Sequence, residues 1–366
     1  MTKKLRVIIS GGGTGGHIYP AIAVAQTLQA QLNGEVEFLF VGASDRMEME
    51  KVPKAGYAIE GLWISGIQRS LSFKNFLFPV KVIHSVVKSL QIISRFKPDL
   101  AIGFGGYASG AMMYAATLKG IPSMIHEQNS YAGITNKILK NRVQKIAVAY
   151  EGMERFFPAS KLIMTGNPVR PDIVNAISKR EAAIQFFGLN PTRLTLLVIG
   201  GSLGARTINQ SIEKDLELLA KEGLNLIWQT GKNFISAKAE LIKGDFVLKV
   251  SPFIYEMDLA YAAADLVISR AGALSIAELQ LCGKATILVP SPNVSEDHQT
   301  KNAMALVNKQ AAVLIKDTEA KEKLVKEAIA LMHNQSLLIT LKIQIKGMAM
   351  EKAAEKIAQE LLKLKK

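Results

Sequence analysis

The scarcity of cysteine and of long apolar runs in this 366-residue sequence excludes several classes of protein. With one cysteine, Cys282, it can form neither an internal disulfide nor a cysteine-rich zinc site, so a reducing, cytoplasmic compartment is expected. The apolar run near the N-terminus is too short for a secretory signal. The longest apolar stretch, residues 73–93, is interrupted by Lys74, Lys81 and Lys88, whereas a bilayer span needs roughly 18 uncharged residues. We therefore expect a soluble or peripheral protein.

Acidic side chains are also in the minority. The 31 Asp and Glu stand against 45 Lys and Arg, a net charge of +14, which favours anionic partners such as phosphate groups, acidic lipid or nucleic acid. No zinc finger, RNA-recognition aromatic signature or dense basic helix accompanies this charge, so no nucleic-acid partner is expected. With 49% hydrophobic residues, the chain can fill two cores at about 150 residues per domain.

Short, β-branched apolar runs alternate with stretches of helical period along the whole chain. This pattern is typical of βαβ units, so the predicted class is α/β with parallel sheets. One series of strands occupies residues 5–165 and a second occupies residues 194–315. Between them, residues 165–173 (TGNPVRPDI) contain two prolines, which favour an extended linker over a helix. We predict domains at 1–165 and 166–346, with a C-terminal helix at about 347–366 packing back on the first domain.

Three glycine-rich loops each follow a predicted strand, at residues 11–16, 103–110 and 200–204. Backbone amides at the start of a helix bind anions, although glycines also serve simply as tight turns. The first loop fits the dinucleotide pattern GxGxxG only weakly and lacks the Gly-Lys-Ser/Thr ending of a nucleotide-triphosphate loop. Glycine loops opening both sheets predict two doubly wound domains that face a central cleft, the plan of a nucleotide-sugar glycosyltransferase.

Seven ordered motifs resemble the MurG family of peptidoglycan glycosyltransferases. They are GGTGGH (12–17), GFGGY (103–107), HEQN (126–129), GNPVR (166–170), GGSLGA (200–205), SRAGALSIAE (269–278) and DHQTKNA (297–303). The resemblance implies the GT-B fold, with two Rossmann-like domains. It also implies inverting transfer of N-acetylglucosamine from UDP-N-acetylglucosamine (UDP-GlcNAc) to the C4 hydroxyl of the muramoyl sugar in undecaprenyl-diphospho-muramoyl-pentapeptide (lipid I), giving lipid II. A UDP-N-acetylglucosamine 2-epimerase shares this fold and nucleotide and is the alternative.

The same resemblance assigns residues to the donor. Glu278 accepts hydrogen bonds from the ribose hydroxyls, a role suited to an acceptor-only carboxylate, although it could also be a solvated helix charge. The backbone of Ile254 meets the uracil, with a core isoleucine as the alternative. Ser202 and Arg170 contact the diphosphate, with an N-cap serine and a surface arginine as alternatives. The nucleotide-binding segment comprises Ala273, Leu274, Ser275, Ile276, Ala277 and Glu278.

The residues that the resemblance assigns to the transferred sugar include two neutral amides. Gln299 and Asn129 contact the N-acetylglucosamine unit by resemblance, with Thr14, Gly15 and Gly16 beside it. Neutral amides suit hydroxyl and acetamido groups, which need donors and acceptors rather than charge.

The catalytic base is predicted to be His17, because inverting transfer needs a group that takes the proton of the attacking hydroxyl. His126 and Glu127 are rivals, and a helix-start histidine that bonds local backbone is the structural alternative. Asp297 and His298 lack a third ligand, so no metal site and no cofactor are predicted, with a loosely bound divalent cation left open.

Residues 61–98 contain no Asp or Glu but have six basic side chains among large apolar ones. Basic and aromatic residues together suit an anionic bilayer surface, and we place this contact at residues 67–81. The apolar stripe of residues 80–93 is expected instead to pack on the sheet. The family resemblance puts the protein at the cytoplasmic face of the bacterial inner membrane.

Overall fold

A computed structural model describes residues 4–65, 77–201, 204–239 and 245–365. The chain divides into two compact units, Met1–Val169 with Glu351–Lys366, and Arg170–Met350. The border between Val169 and Arg170 lies within the segment predicted as the linker. No helix in the described residues is both long enough and apolar enough to cross a membrane.

The first unit is built on a parallel sheet with the strand order β3-β2-β1-β4-β5-β6-β7. Its strands are β1 (Leu5–Ser10), β2 (Val36–Ala43), β3 (Ile59–Leu62), β4 (Leu100–Gly103), β5 (Ser123–Glu127), β6 (Lys145–Val148) and β7 (Leu162–Met164). Its helices are α1 (Gly15–Gln31), α2 (Glu48–Lys54), α3 (Phe78–Phe96), α4 (Tyr107–Leu118), α5 (Ile134–Leu139) and, after the second unit, α15 (Ala353–Leu362).

Both faces of this sheet are covered, which explains why its strands read as continuous apolar runs. Side chains that alternate along β1 enter two different cores: Val7 and Ile9 pack with α1 and α15, and Ile8 packs with α3 and α4. Ile357 of α15 is completely buried in the core shared with α1. The C-terminal helix therefore completes the first unit.

The second unit has a parallel sheet of order β10-β9-β8-β11-β12-β13. Its strands are β8 (Thr195–Ile199), β9 (Asn225–Gln229), β10 (Val247–Ser251), β11 (Leu266–Ser269), β12 (Ala285–Leu288) and β13 (Val313–Leu314). Its helices are α6 (Pro171–Val174), α7 (Arg180–Phe187), α8 (Arg206–Lys214), α9 (Leu216–Lys221), α10 (Met257–Ala263), α11 (Ala273–Cys282), α12 (His298–Val307), α13 (Ala320–His333) and α14 (Gln335–Gly347).

Two local predictions were wrong. Residues 165–173 are not extended throughout, because α6 begins at Pro171, and proline is compatible with the first position of a helix, where its missing amide is not needed. The second glycine loop is shorter than predicted, since α4 begins at Tyr107 and includes Gly110.

The order of strands locates the candidate sites. Each sheet reverses its direction of winding at one place, between β1 and β4 in the first unit and between β8 and β11 in the second. Ligands of doubly wound sheets bind beyond the carboxyl ends of the strands at such a switch point. The glycine-rich segments follow β1, β4 and β8, and the short loop after β11 leads into α11, the helix that contains Glu278.

Candidate functional site

The two glycine loops of the first unit pack directly against each other. Gly106, at the start of α4, has a φ of +87°, and a Cβ on it would lie 2.6 Å from the carbonyl oxygen of Gly12. Gly105, with a φ of +92°, leaves room for His17, whose Nε2 would be 3.1 Å from a Cβ at that position. Only glycine permits both approaches, so the loops after β1 and β4 form one surface.

His17, in the first turn of α1, bonds local backbone through its ring. Its Nδ1 lies 2.8 Å from the carbonyl oxygen of Gly12 and 3.4 Å from the hydroxyl oxygen of Thr14. Because a carbonyl oxygen only accepts, Nδ1 carries the proton, and in the neutral ring the lone pair is on Nε2. The local bond proposed as the structural alternative is thus present, and it fixes the tautomer that a base at Nε2 requires.

His126 is held as a neutral ring in the core of the first unit. It is completely buried, its Nε2 lies 3.0 Å from the carbonyl oxygen of Gly166, and its Nδ1 lies 2.9 Å from the amide nitrogen of Gln128. Burial lowers the pKa of His126 to about 4. Both ring nitrogens are used, so this residue joins β5 to the chain after β7 and is a poor candidate for proton transfer.

Glu127 supports the loop that carries Asn129. Its carboxylate accepts hydrogen bonds from the amides of Gly133 at 2.9 Å and Asn129 at 3.1 Å, and from the side chains of Asn136 at 2.9 Å and Asn129 at 3.3 Å. All four of these hydrogen bonds come from the segment of residues 129–136, so both carboxylate oxygens are engaged in holding it. The geometry therefore fits a positioning role for Glu127, next to the predicted sugar contact.

The helix that follows β11 carries the predicted nucleotide segment in the second unit. Gly272 precedes α11, whose first turn contains Ala273, Leu274 and Ser275, and amides of a first turn have no acceptor within their own helix. Glu278 lies in the next turn and is half-buried, and the hydroxyl of Tyr261 donates to its Oε2 at 2.9 Å. Burial raises the pKa of Glu278, and the nearby Arg170 opposes this effect.

A glutamine connects the third glycine loop to the predicted uracil contact. The side-chain nitrogen of Gln229 donates to the carbonyl oxygen of Gly201 at 2.9 Å, and its oxygen lies 3.4 Å from the amide nitrogen of Ile254. Ile254 is only 5% exposed, so its side chain belongs to the core and only its backbone is oriented by Gln229. Ser202 lies outside the described residues.

The remaining predicted residues of this unit lie near the starts of two helices. Arg170 precedes α6, with its guanidinium 3.8 Å from the carboxylate of Asp172. Gln299, in the first turn of α12, accepts a hydrogen bond from the amide of Ser291 at 2.8 Å, which joins it to the chain after β12. No group of three or more His, Cys, Asp or Glu side chains in the described residues is arranged to hold a metal ion.

Three residues that the sequence did not single out organise these sites. Tyr261 and Gln229 contact predicted donor residues, and Glu48, the first residue of α2, is completely buried behind the first glycine loop. None of the three lies in one of the motifs singled out in the sequence. No local signal in the sequence identifies such a partner.

Comparison with known proteins assigns the chain to a family. Residues 7–148 match the glycosyltransferase family 28 N-terminal domain, and residues 195–360 match the C-terminal domain of the same family. A relative from Cytophaga hutchinsonii is named UDP-N-acetylglucosamine--N-acetylmuramyl-(pentapeptide) pyrophosphoryl-undecaprenol N-acetylglucosamine transferase. It is 55% identical over 362 residues, which cover 99% of this chain and 97% of the relative.

Solved structures support the same assignment. The crystal structure of MurG from Acinetobacter baumannii has a TM-score of 0.81 and 29% identity, and the match covers 98% of this chain and 99% of that one. A UDP-GlcNAc 2-epimerase from Neisseria meningitidis has a TM-score of 0.66 at 15% identity over 98% of this chain and 100% of that one, a likeness of fold alone. The predicted GT-B fold is confirmed, and the chain is a glycosyltransferase that belongs to glycosyltransferase family 28.

Proposed function

We propose that this chain transfers N-acetylglucosamine from UDP-GlcNAc to the C4 hydroxyl of the muramoyl sugar of lipid I, giving lipid II with inversion at the anomeric carbon. The observation that carries the proposal is full-length similarity, at 55% identity, to a relative named for this transfer. The epimerase alternative has only a likeness of fold in its favour.

In this proposal the second unit holds the donor. Glu278 accepts the ribose hydroxyls, and Tyr261 keeps its carboxylate oriented through the 2.9 Å hydrogen bond. The backbone at Ile254 meets the uracil, while Ser202 and Arg170 contact the diphosphate. The first turn of α11 directs amides and the positive end of the helix dipole at the nucleotide, which stabilises charge as UDP leaves.

The first unit supplies the base. The C4 oxygen of the acceptor attacks the anomeric carbon, the bond from that carbon to the diphosphate oxygen breaks, and the hydroxyl proton passes to Nε2 of His17. The 2.8 Å bond from Nδ1 to the Gly12 carbonyl keeps the lone pair on Nε2 for this step. Thr14, Gly15, Gly16 and Asn129 lie on or near the same loops and contact the transferred sugar, together with Gln299.

We also propose that α3 contributes the contact with an anionic membrane at the cytoplasmic face of the inner membrane. Residues 67–76 of the predicted contact lie outside the described residues. Beyond them, Leu77, just before α3, and one face of α3 are apolar and exposed. The exposed fractions are 49% for Leu77, 53% for Val80, 65% for Ile83 and 49% for Val87. The stripe of residues 80–93 was expected only to pack on the sheet, but it has this second, outward face.

The decisive experiment measures product with and without a short-chain lipid I analogue. Label from UDP-GlcNAc should pass into a butanol-extractable lipid only when the analogue is present. Release of labelled N-acetylmannosamine without an acceptor would instead identify an epimerase. His17→Ala should lower kcat by about 10² to 10⁴ while UDP affinity is kept, because a general base acts mainly in the transition state.

A further inference from the structure

Glu48 is a completely buried carboxylate that joins the first glycine loop to β2. Its Oε2 accepts a hydrogen bond from the amide of Gly13 at 3.0 Å, and its Oε1 accepts one from the amide of Ala43 at 2.9 Å. Within the described part of the chain, no lysine or arginine forms an ion pair with it. Each oxygen of the carboxylate thus accepts a hydrogen bond from a peptide N–H group, and such hydrogen bonds offset the free-energy cost of burying an anion.

Two glycines, Gly12 and Gly42, provide the space that the Glu48 side chain occupies. A Cβ on Gly12 would lie 2.0 Å from Oε1 of Glu48, and a Cβ on Gly42 would lie 2.5 Å from its Cγ. Both distances are far below contact, so neither glycine tolerates a side chain while Glu48 is in place. Gly12 is therefore needed both for the packing of the Glu48 carboxylate and for the conformation of the loop.

One peptide group connects Glu48 to His17. The N–H of Gly13 donates to the carboxylate, and the carbonyl of the same peptide, that of Gly12, accepts the Nδ1 proton of His17 at 2.8 Å. An amide is conjugated from nitrogen to oxygen, so donation by its N–H to an anion increases the negative charge on its carbonyl oxygen. The two hydrogen bonds therefore strengthen each other.

We propose that Glu48 is a positioning residue for sugar transfer, acting on His17 through the peptide between Gly12 and Gly13. It holds the ring in the tautomer with its lone pair on Nε2, and it stabilises the imidazolium that forms when the ring takes a proton. A carboxylate bonded directly to the histidine has this part in hydrolase triads, whereas here a peptide group intervenes. The proposal rests on the role of His17 in the proposed function.

The charges around His17 agree with this assignment. His126, on β5, interacts electrostatically with His17 but is buried and neutral near pH 7. Glu48, on α2, is an anion that reaches the ring through the Gly12–Gly13 peptide. Loss of this anion should therefore make protonation of His17 less favourable.

The first measurement needs no variant. Nitrogen NMR of the protein labelled with ¹⁵N-histidine should show His17 with its proton on Nδ1 at high pH, assigned by the signal missing in His17→Gln. A proton on Nε2 instead would overturn the proposal.

The second measurement compares Glu48→Gln with Glu50→Gln, which removes the same charge from an exposed position on the same helix. Glu48→Gln should move the titration of His17 to lower pH. It should lower kcat by about 10- to 100-fold, the range found for outer partners that orient metal-bound histidines, with little change in KM for UDP-GlcNAc. Glu50→Gln should match the unaltered protein in all three.

A double variant separates this role from a structural one. In the His17→Ala background, Glu48→Gln should cause no further fall in kcat, and an equal fall there would show that Glu48 does not act through His17. An unchanged titration of His17 in a folded Glu48→Gln protein would likewise refute the coupling. If the coupling is found but His17→Ala keeps full kcat, the base assignment fails instead.

Discussion

Acidification should weaken the first unit because of His126. This residue is completely buried, and both of its ring nitrogens are in hydrogen bonds that suit the neutral ring. Burial lowers its pKa from 6.5 to about 4, with a smaller contribution in the same direction from His17. The unfolded chain, in contrast, titrates near the ordinary value.

The sign and size of the effect follow from linkage. Between pH 6.5 and about 4, the unfolded state binds a proton that the folded state does not, so the free energy of unfolding falls as the pH falls. At about 1.4 kcal/mol per pH unit, the loss reaches about 2 kcal/mol at pH 5 and about 3 kcal/mol below pH 4. Above pH 6.5 the residue contributes no pH dependence.

Thermal unfolding at pH 7 and pH 5 tests this account in His126→Gln, which keeps a donor and an acceptor but does not titrate. The unaltered protein should lose about 4 to 8 °C more in the Tm of its first unit than the variant does, for a unit of this size. His333→Gln, at an exposed position in the second unit, is the control and should behave as the unaltered protein. Equal losses in the unaltered protein and His126→Gln would refute the reasoning.

Further outcomes follow from the two sites and from α3. Glu278→Gln should weaken UDP binding by about 1 to 3 kcal/mol in calorimetry. Because burial raises the pKa of Glu278, ionising this carboxyl costs more free energy in the folded protein than in the unfolded chain, so the variant should also have a higher Tm at pH 7. Gly106→Ala should lower the free energy of unfolding by more than Gly120→Ala, since both positions have positive φ but only Gly106 faces a backbone atom within 3 Å. In vesicle flotation, Ile83→Glu should reduce recovery with anionic vesicles, while Ile343→Glu, at a similarly exposed position on α14, should not.

The arrangement of strands and helices was predictable because strands of a buried sheet form short apolar runs that are visible in the sequence. Strands covered on both faces are apolar along most of their length. Runs such as residues 226–228 (LIW) therefore stand out between stretches of helical period, and this run forms the middle of β9. The segment assigned to the nucleotide, residues 273–278, forms the beginning of α11. The start of α6 at Pro171 was missed because proline opens helices as readily as it interrupts them.

The sequence points to candidate site residues only where they lie in a motif. His17 and Glu278 lie beside glycine loops or in a matched segment, so chemistry and resemblance both point to them. The residues that bond to these segments lie in no such motif. Glu48 is 35 positions from Gly13, and Tyr261 is 17 positions from Glu278. A pairing across such a distance depends on how strands are ordered in the sheet. One sequence does not display that order.

Under the proposed function, the position of a single carboxylate explains why two sites of the same topology would take different ligands. In the first unit, the amide of Gly13 is already taken by Glu48, and the negative charge behind the loop disfavours a diphosphate there. In the second unit, α11 starts after Gly272 with no acidic residue in its first turn, and Glu278 lies in the turn beyond. Its helix start therefore keeps the positive potential that a departing diphosphate needs. Under the proposed function, the first loop would then orient a histidine and contact uncharged sugar, while the second unit would bind the diphosphate.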